Sequence, residues 1–202
     1  NHNRFYPAEE NEKSIAREKL GINPNTLVII SVGGCSSIKR HSDIIKALAE
    51  IIKENDNVLY LHLGEGNSLS YEQELASKLN VSKHIKFCGN QVNVRQYLIA
   101  SDIYLMTSKF EGISLTTIEA MACHIPTILY DVPGLRDFNK DTQCSELIPE
   151  DYHILAQTII NLSNNSTKKN ELIINADKNV NLNYNMRINA VEIYNLYNQC
   201  PE

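Results

Sequence analysis

The sequence predicts an α/β fold, a Rossmann-like parallel sheet of about six strands with helices on both faces. Apolar runs rich in β-branched residues, typical of strands buried on both faces, alternate with amphipathic stretches about six times. The spacing between these runs is that of right-handed βαβ units. The length of 202 residues suits one large domain.

The first half of the chain supplies three strands and their connecting helices. A polar stretch with a helix predicted over 8–20 precedes the first strand, over 26–32. Ser42 is the predicted N-cap of the next helix, whose isoleucines and leucines recur on one face. The pattern then predicts a strand over 57–63, a helix over 69–79 and a strand over 84–89.

The second half continues the alternation as far as residue 163. The elements predicted there are helix 93–101, strand 102–108, helix 115–123, strand 125–130, a weak strand 144–148 and helix 151–163. The remaining segment, 166–198, is predicted to add further helix. Its end carries an amphipathic pattern formed by Ile188, Val191, Ile193, Leu196 and Tyr197.

Composition excludes several functional classes. The net charge of −5 argues against a nucleic-acid partner, because binding to a phosphate backbone needs an excess of Lys and Arg. Neither a membrane-spanning run nor the apolar core of a signal peptide is found in the sequence. The five cysteines contain no CxxC pair, so nothing in their spacing supports a zinc site, and we expect small buried thiols in a reducing cytoplasm. We predict no metal site.

Ligands of parallel α/β sheets bind at the carboxyl ends of the strands, where the strand-to-helix loops converge. After the first strand, Gly33 and Gly34 allow a tight turn, and Lys39 and Arg40 place positive charge at a helix entrance. The spacing is not that of a Walker loop. The loop beginning at Gly64 starts like a dinucleotide fingerprint but lacks its third glycine, and this absence disfavours NAD binding. The loop remains compatible with another ligand.

The loop over 107–115 carries the strongest signal. Gly112 to Ser114 can present backbone N–H groups to phosphate oxygens at a helix N-terminus. Glu111 and Glu119 beside such a site suit hydroxyl donors, because charge-assisted hydrogen bonds to carboxylates are strong. A nucleoside diphosphate sugar combines phosphates with hydroxylated sugars at both ends. We therefore predict that class of ligand.

Several segments in the correct order resemble one family of enzymes. EGISLTTIEAMACHIPTI (111–128) resembles the E-x7-E region of the nucleotide-sugar glycosyltransferases with two Rossmann-like domains, the GT-B class, and in particular the retaining family 4. Its usual form there is EGFGLxxLEAMAxGxPVI. The strand, glycine turn and lysine of 26–48 resemble the same family, as do LYLHLGEGNS (59–68) and 84–108. The resemblance covers roughly 27–198.

The resemblance implies a role for each matching residue. Glu119 would bind the nucleotide ribose, Glu111 the hydroxyls of the transferred sugar and Lys39 the diphosphate, with Glu111 and Lys39 as the catalytic residues. The backbone N–H groups of Ile113, Ser114 and Leu115 would face the sugar and phosphates. Asn90 and Gln91 would flank the base. The implied donor-binding set is Gly33, Gly34, Arg40, Gly64, Asn90, Gln91, Gly112, Ile113, Ser114, Leu115 and Glu119.

The resemblance also implies a division of the chain and a set of partners. Residues 1–25 would be the end of an interdomain linker and a first helix, and 26–202 the nucleotide-sugar-binding domain of a longer chain. A preceding domain would bind a glycan or lipid-linked acceptor and provide any membrane contact. The enzyme would transfer a hexose-type sugar with retention and without a metal cofactor. It would be cytoplasmic, at most peripheral at the inner face of the membrane.

Two departures from the family pattern leave alternatives open. Gly34 stands where the family usually has Arg, so one diphosphate cation is missing unless Arg40 replaces it, and His124 stands where the family has Gly. A non-catalytic domain that keeps the fold, a GT-B epimerase and a sugar-phosphate synthase remain alternatives to the glycosyltransferase.

Overall fold

The computed structural model describes residues 4–199, without the side chains of residues 186, 187, 192 and 199. In these residues, six parallel strands form one sheet. The strands are β1 Leu27–Val32, β2 Val58–Leu63, β3 Ile85–Gly89, β4 Ile103–Met106, β5 Thr127–Tyr130 and β6 Glu146–Ile148. Their order across the sheet is β3-β2-β1-β4-β5-β6, and every neighbouring pair is parallel. The predicted fold class is confirmed.

Helices cover the sheet and pack in groups. They are α1 Glu12–Lys19, α2 His41–Glu54, α3 Leu69–Lys78, α4 Val94–Ala100, α5 Leu115–Ala122, α6 Tyr152–Ser163, α7 Ser166–Asn183 and α8 Met186–Gln199. Helix α2 packs against α3 and α6, α1 against α4, and α5 against α7. None of the helices within residues 4–199 combines the length and apolar composition needed to cross a bilayer.

The central strands are buried without alternation because helices lie on both faces. Val28, Ile29 and Ile30 of β1 have no exposed surface, and all four residues of β4 and of β5 are buried. Such continuous apolar runs produced the strand predictions. The edge strand β6 is only three residues long and half-buried at two of them.

The predicted helix over 8–20 begins only at Glu12, and the predicted start of α2 is wrong. Helix α2 begins at His41 and not after Ser42, since Arg40 adopts a left-handed conformation with φ 52° and the Asp43 N–H donates to the Arg40 carbonyl at 2.9 Å. The turn at Arg40 therefore takes the capping position that the sequence assigns to Ser42.

The C-terminal helix α8 confirms its predicted secondary structure but not a buried face. Ile188, Val191, Ile193, Leu196 and Tyr197, which form the predicted apolar pattern, are all exposed. Residues 1–3 and Cys200, which the sequence predictions include, lie outside the described residues.

Buried arginines attach the segment before β1 to helix α4 and to the residue that precedes β4. Arg17 Nη2 lies 2.7 Å from Asp102 Oδ2, and the same carboxylate oxygen accepts from the Val28 N–H at 2.8 Å. Arg95 pairs with Glu12 and lies over the ring of Tyr6, 3.6 Å from its centroid. Since β4 starts at Ile103, these contacts lie at the amino edge of the sheet. The predicted division at residue 25 stays a prediction.

Acid is expected to weaken this attachment. The hydrogen-bonded Arg95 lowers the pKa of Glu12 to about 2 from an ordinary value of 4.5, so its stabilising effect is complete above pH 4.5 and is lost as the pH falls towards 2. In urea unfolding at pH 6 and pH 3, Glu12→Gln should reduce the acid-dependent loss by about 1–2 kcal/mol. The variant Glu18→Gln, at an exposed position on the same helix, is the control. An equal acid response in wild type and Glu12→Gln would contradict the assignment.

Candidate functional site

The strand order reverses between β1 and β4, and this switch point is where open α/β sheets bind ligands. The chain moves outward from β1 to β2 and β3 in one direction, and from β4 to β5 and β6 in the other. The loops after β1 and β4, residues 33–40 and 107–114, diverge from this point. They contain most of the predicted site residues.

A lysine and a glutamate from these two loops meet at the switch point. Lys39 Nζ lies 2.6 Å from Glu111 Oε1, and the side chains are 23 % and 13 % exposed. Ser108 Oγ donates to the same oxygen at 2.6 Å. The Lys39 side chain runs over Gly33, where a Cβ would lie 3.4 Å from Lys39 Cε. The two predicted catalytic residues are therefore brought together in a half-buried ion pair.

Hydrogen bonds between the loops fix the position of this ion pair. Thr107 Oγ1 donates to the Lys39 carbonyl at 2.9 Å, and the Lys109 N–H donates to the Ile38 carbonyl at 2.9 Å. The Glu111 N–H donates to the Pro133 carbonyl at 3.1 Å, which adds the loop after β5. Three strand-to-helix loops thus form one connected surface.

The N-terminus of α5 is open towards a ligand. The Ser114 side chain caps none of the first-turn N–H groups, because its Oγ pairs with Thr117 Oγ1 at 2.8 Å. Ile113 and Leu115 on either side are 68 % and 67 % exposed, and a Cβ at Gly112 would meet nothing within 4 Å. An uncapped helix start with open space before it can receive phosphate oxygens.

Glu119, within α5, is half-buried. Its backbone carbonyl accepts from the Cys123 N–H at 3.1 Å, but its carboxylate makes no hydrogen bond to a described residue. Burial raises the pKa of this carboxyl, and the positive charge of Arg4 partly offsets the effect. A partly desolvated acceptor without a donor is unfavourable until a ligand supplies one. Hydroxyl groups would do so.

The loops after β1 and β2 touch through their glycines. Gly64 has φ +137°, and a Cβ there would overlap the Gly33 carbonyl oxygen. The Cys35 N–H also donates to the Glu65 carbonyl at 2.9 Å. Gly34 has more room, since a Cβ would lie 3.5 Å from the Glu65 carbonyl oxygen, an ordinary van der Waals distance. A side chain is therefore sterically possible at position 34.

Three predicted donor-binding side chains are engaged within the protein. Asn90 Nδ2 donates to Glu65 Oε2 at 3.1 Å, and Gln91 Nε2 donates to the Cys88 carbonyl at 2.5 Å. Arg40 pairs with Asp43 at 2.7 Å and with Glu150, and it lies over the Tyr130 ring. The charge of Arg40 is thus already neutralised by two carboxylates. Its predicted replacement of the missing cation stays a prediction that these contacts do not favour.

His124 lies at the opposite edge of the sheet, between α5 and the start of β5. Its φ is +58°, a left-handed conformation that glycine adopts most easily. The ring pairs with Asp177, with 3.0 Å between Nε2 and Oδ1. Histidine in place of the family's glycine at position 124 therefore strains the backbone there, far from the loops that hold Lys39 and Glu111.

Substitutions at position 124 should expose that strain. His124→Gly and His124→Ala both remove the Asp177 contact, but only glycine relieves the left-handed backbone. We expect His124→Gly to be more stable than His124→Ala by about 1 kcal/mol in urea unfolding. Equal stability would mean that position 124 is unstrained.

A cluster that the sequence did not predict lies beneath the loop after β1. We call it the tetrad: Cys35, His41, His62 and Glu72. Burial and the neighbouring Glu72 raise the pKa of the Cys35 thiol to about 12. Although burial opposes ionisation of Glu72, the two imidazoles lower its pKa to about 2. No sequence signal identifies the tetrad, because its members come from a loop, a helix start, a strand and another helix.

The amino-acid sequence matches a family of known proteins. The family model described as glycosyl transferases group 1 matches residues 12–179. The N-acetyl-alpha-D-glucosaminyl L-malate synthase of Bacillus anthracis is 32 % identical over 119 residues, which are 59 % of this chain and 31 % of that protein. The matched segments cover about a third of the length of these curated relatives, and the chain itself is about half as long as they are.

Two solved structures share the fold. HepE from Anabaena, crystallised with UDP-glucose, superposes with a TM-score of 0.89 at 20 % identity, over 99 % of this chain and 56 % of its own. The C-terminal domain of the glycosyl transferase group 1 protein LpcC from Francisella tularensis gives 0.80 at 23 % identity, over 92 % of this chain and 98 % of that domain. The family match covers most of the chain, and this protein belongs to the glycosyl transferases group 1 family.

Proposed function

We propose that this chain binds a nucleoside diphosphate sugar and forms the donor side of a glycosyltransferase active site. The observation that carries the proposal is the Lys39–Glu111 ion pair beside the uncapped start of α5. Lys39 and the free N–H groups of the helix start can bind a diphosphate, and the Glu111 carboxylate can bind sugar hydroxyls. Glu119 adds an unpartnered acceptor for the ribose hydroxyls. The UDP-glucose bound to HepE is a ligand of this class.

The same residues suggest how transfer would proceed. Breaking the sugar–phosphate bond leaves negative charge on the diphosphate and positive, oxocarbenium-like character on the sugar. Lys39 and the α5 N–H groups would stabilise the leaving group, and Glu111 would hold the sugar. These groups supply the charge stabilisation without a metal cofactor. The transferred sugar is proposed to be of the hexose type, and its transfer to retain the configuration at the anomeric carbon.

The acceptor side is proposed to lie outside this chain. The relatives that match it are about twice as long as this chain, which leaves room for a second, acceptor-binding domain. A glycan or a lipid-linked acceptor is the proposed recipient. The proposed location is cytoplasmic, with any contact to the inner face of the membrane made through that second domain.

Calorimetric titration of the chain with UDP-, GDP- and ADP-glucose tests donor binding. One of the three should bind at a single site, and Glu119→Gln should weaken that binding at least tenfold, because hydrogen bonds to a charged acceptor are worth about 1.5–3 kcal/mol. Glu74→Gln, an exposed position on α3, is the matched control. Failure of all three to bind would contradict the proposal and favour a non-catalytic domain. For a longer natural enzyme, product analysis would separate transfer from epimerisation.

Restoring a cation at position 34 should strengthen donor binding. The site has room for a side chain there, so Gly34→Arg is expected to tighten nucleoside diphosphate binding about tenfold through a charge-assisted hydrogen bond. Gly34→Gln provides similar bulk without charge. If Arg and Gln have the same effect on the dissociation constant, position 34 does not face the diphosphate.

A further inference from the structure

The tetrad is a closed group of four potential metal ligands. Its members are between 0 % and 2 % exposed. Their donor atoms, one sulfur, two imidazole nitrogens and one carboxylate oxygen, all lie within 4.8 Å of one another. Cys35 follows β1, His41 begins α2, His62 lies in β2 and Glu72 lies in α3. Four elements that are separate in sequence thus direct ligand atoms to one buried point.

Two of the distances between ligand atoms are those of a tetrahedral site. Cys35 Sγ lies 3.8 Å from His62 Nε2, and His41 Nδ1 lies 3.6 Å from Glu72 Oε1. Tetrahedral ligands around Zn²⁺ are about 3.3–3.8 Å apart, given bond lengths of about 2.0–2.3 Å. The 2.8 Å contact between His62 Nε2 and Glu72 Oε2 is a hydrogen bond, which would open by about 0.5–1 Å when a metal takes the place of the proton.

An unpartnered atom points to a ligand at this position. His41 Nδ1 is fully buried and has no hydrogen-bond partner, because Glu72 Oε1 at 3.6 Å is beyond bonding distance. The other nitrogen of His62, Nδ1, also lacks a partner. Buried polar atoms are rarely left unsatisfied, and a metal would provide His41 Nδ1 with one.

The donor set also balances the charge of a divalent cation. A thiolate and a carboxylate carry two negative charges, and two neutral imidazoles add none, so a bound M²⁺ leaves the buried cluster neutral. Mixed sulfur, nitrogen and oxygen donors in a closed four-coordinate arrangement suit Zn²⁺.

We propose that the tetrad binds one Zn²⁺ as a structural site. All four positions are filled by protein ligands, so the metal would hold the fold together and leave none open for chemistry. The donor side of the active site would still work without a catalytic metal. The site departs from the sequence-based expectation of no metal, which came from the cysteine spacing and from the family resemblance.

The metal would stabilise the loop that carries the proposed diphosphate contacts. The Cys35 carbonyl accepts from the Ser68 N–H at 3.2 Å, and the Cys35 N–H donates to the Glu65 carbonyl at 2.9 Å. Coordination through the Cys35 side chain would also connect the loop after β1 to β2 and α3, which flank the loop after β2. Gly33 and Gly34 immediately precede this ligand.

Direct metal analysis tests the site without reference to sugar binding. The chain is dialysed against metal-free buffer and titrated with ZnCl₂ in competition with a chromophoric chelator. One equivalent should bind, and CoCl₂ in its place should give a thiolate-to-cobalt charge-transfer band. Cys35→Ser and Glu72→Gln should each weaken Zn²⁺ binding at least 100-fold, because even the loss of an outer-shell partner can cost 10–100-fold. Cys123→Ser, which removes an equally buried thiol outside the tetrad, should leave binding and the cobalt band unchanged.

Thermal unfolding and circular dichroism distinguish loss of the metal site from misfolding of a variant. Zn²⁺ should raise the melting temperature of wild type and Cys123→Ser, and should leave Cys35→Ser and Glu72→Gln unchanged. Circular dichroism establishes that each variant is folded. Folded wild-type protein that binds no Zn²⁺, or variants of Cys35 and Glu72 that bind it like wild type, would overturn the proposal and leave the tetrad as a hydrogen-bonded group.

Discussion

Replacement of Lys39 by methionine is expected to weaken binding of a nucleoside diphosphate about 10–100-fold, with or without a sugar attached. The ammonium group at the switch point is the cation proposed to meet the diphosphate. Glu111→Gln should have a different effect. It releases Lys39 from its ion pair, so affinity for the diphosphate alone should stay the same or increase, while the added affinity conferred by the sugar should be lost.

Calorimetry with UDP and with the sugar nucleotide that binds best provides both comparisons. The control is Lys46→Met, which removes a more exposed lysine of α2 that lies 3.4 Å from Asp43. If Glu111→Gln weakened UDP and the sugar nucleotide equally, the two residues would act as a structural pair, and the proposed division of roles would be wrong.

Alanine at position 64 is expected to destabilise the domain by about 2–4 kcal/mol, the sum of backbone strain and overpacking. The φ of +137° disfavours any side chain, and the new Cβ would overlap the Gly33 carbonyl oxygen. Because that obstruction is backbone, no rotamer change can relieve it. The loop after β1 would have to move, and with it the Lys39 side chain that lies over Gly33.

Gly21→Ala separates the two contributions. Gly21 also has a left-handed φ of +66°, but a Cβ there meets nothing within 4 Å, so only the strain of about 1 kcal/mol should be observed. Urea unfolding measures both variants, and calorimetry shows whether Gly64→Ala also loses ligand affinity. If both alanine variants lost the same stability, close contact between the loops would have no energetic importance.

The fold could be predicted from sequence because its central strands are buried on both faces. When helical patterns lie between them, continuous apolar runs such as Val28–Ile30 and 103–106 are interpreted as strands of a parallel sheet. The start of α2 could not be predicted in the same way. Ser42 is a better N-cap by residue preference, but the helix is preceded by a left-handed turn at Arg40, whose side chain pairs with the distant Glu150, a contact that local preference does not encode.

The candidate site was predictable where its residues lie in one segment. Glu111 and Glu119 share a loop and the helix that follows it, so their spacing could be recognised. The pairing of Lys39 with Glu111 follows from the strand order, which brings β1 next to β4. The tetrad had no such signal, because its ligands are brought together only by tertiary packing.

The ion pair at the switch point also has a kinetic consequence. With Lys39 neutralised by Glu111, and Arg40 by Asp43 and Glu150, these two cations present little net positive potential to a distant anion. The chain as a whole carries a charge of −5. Long-range electrostatic steering, which accelerates many encounters and fades with ionic strength, would contribute little to the association rate. Recognition of a dianionic ligand would begin only at contact, when the phosphates compete with Glu111 for the lysine.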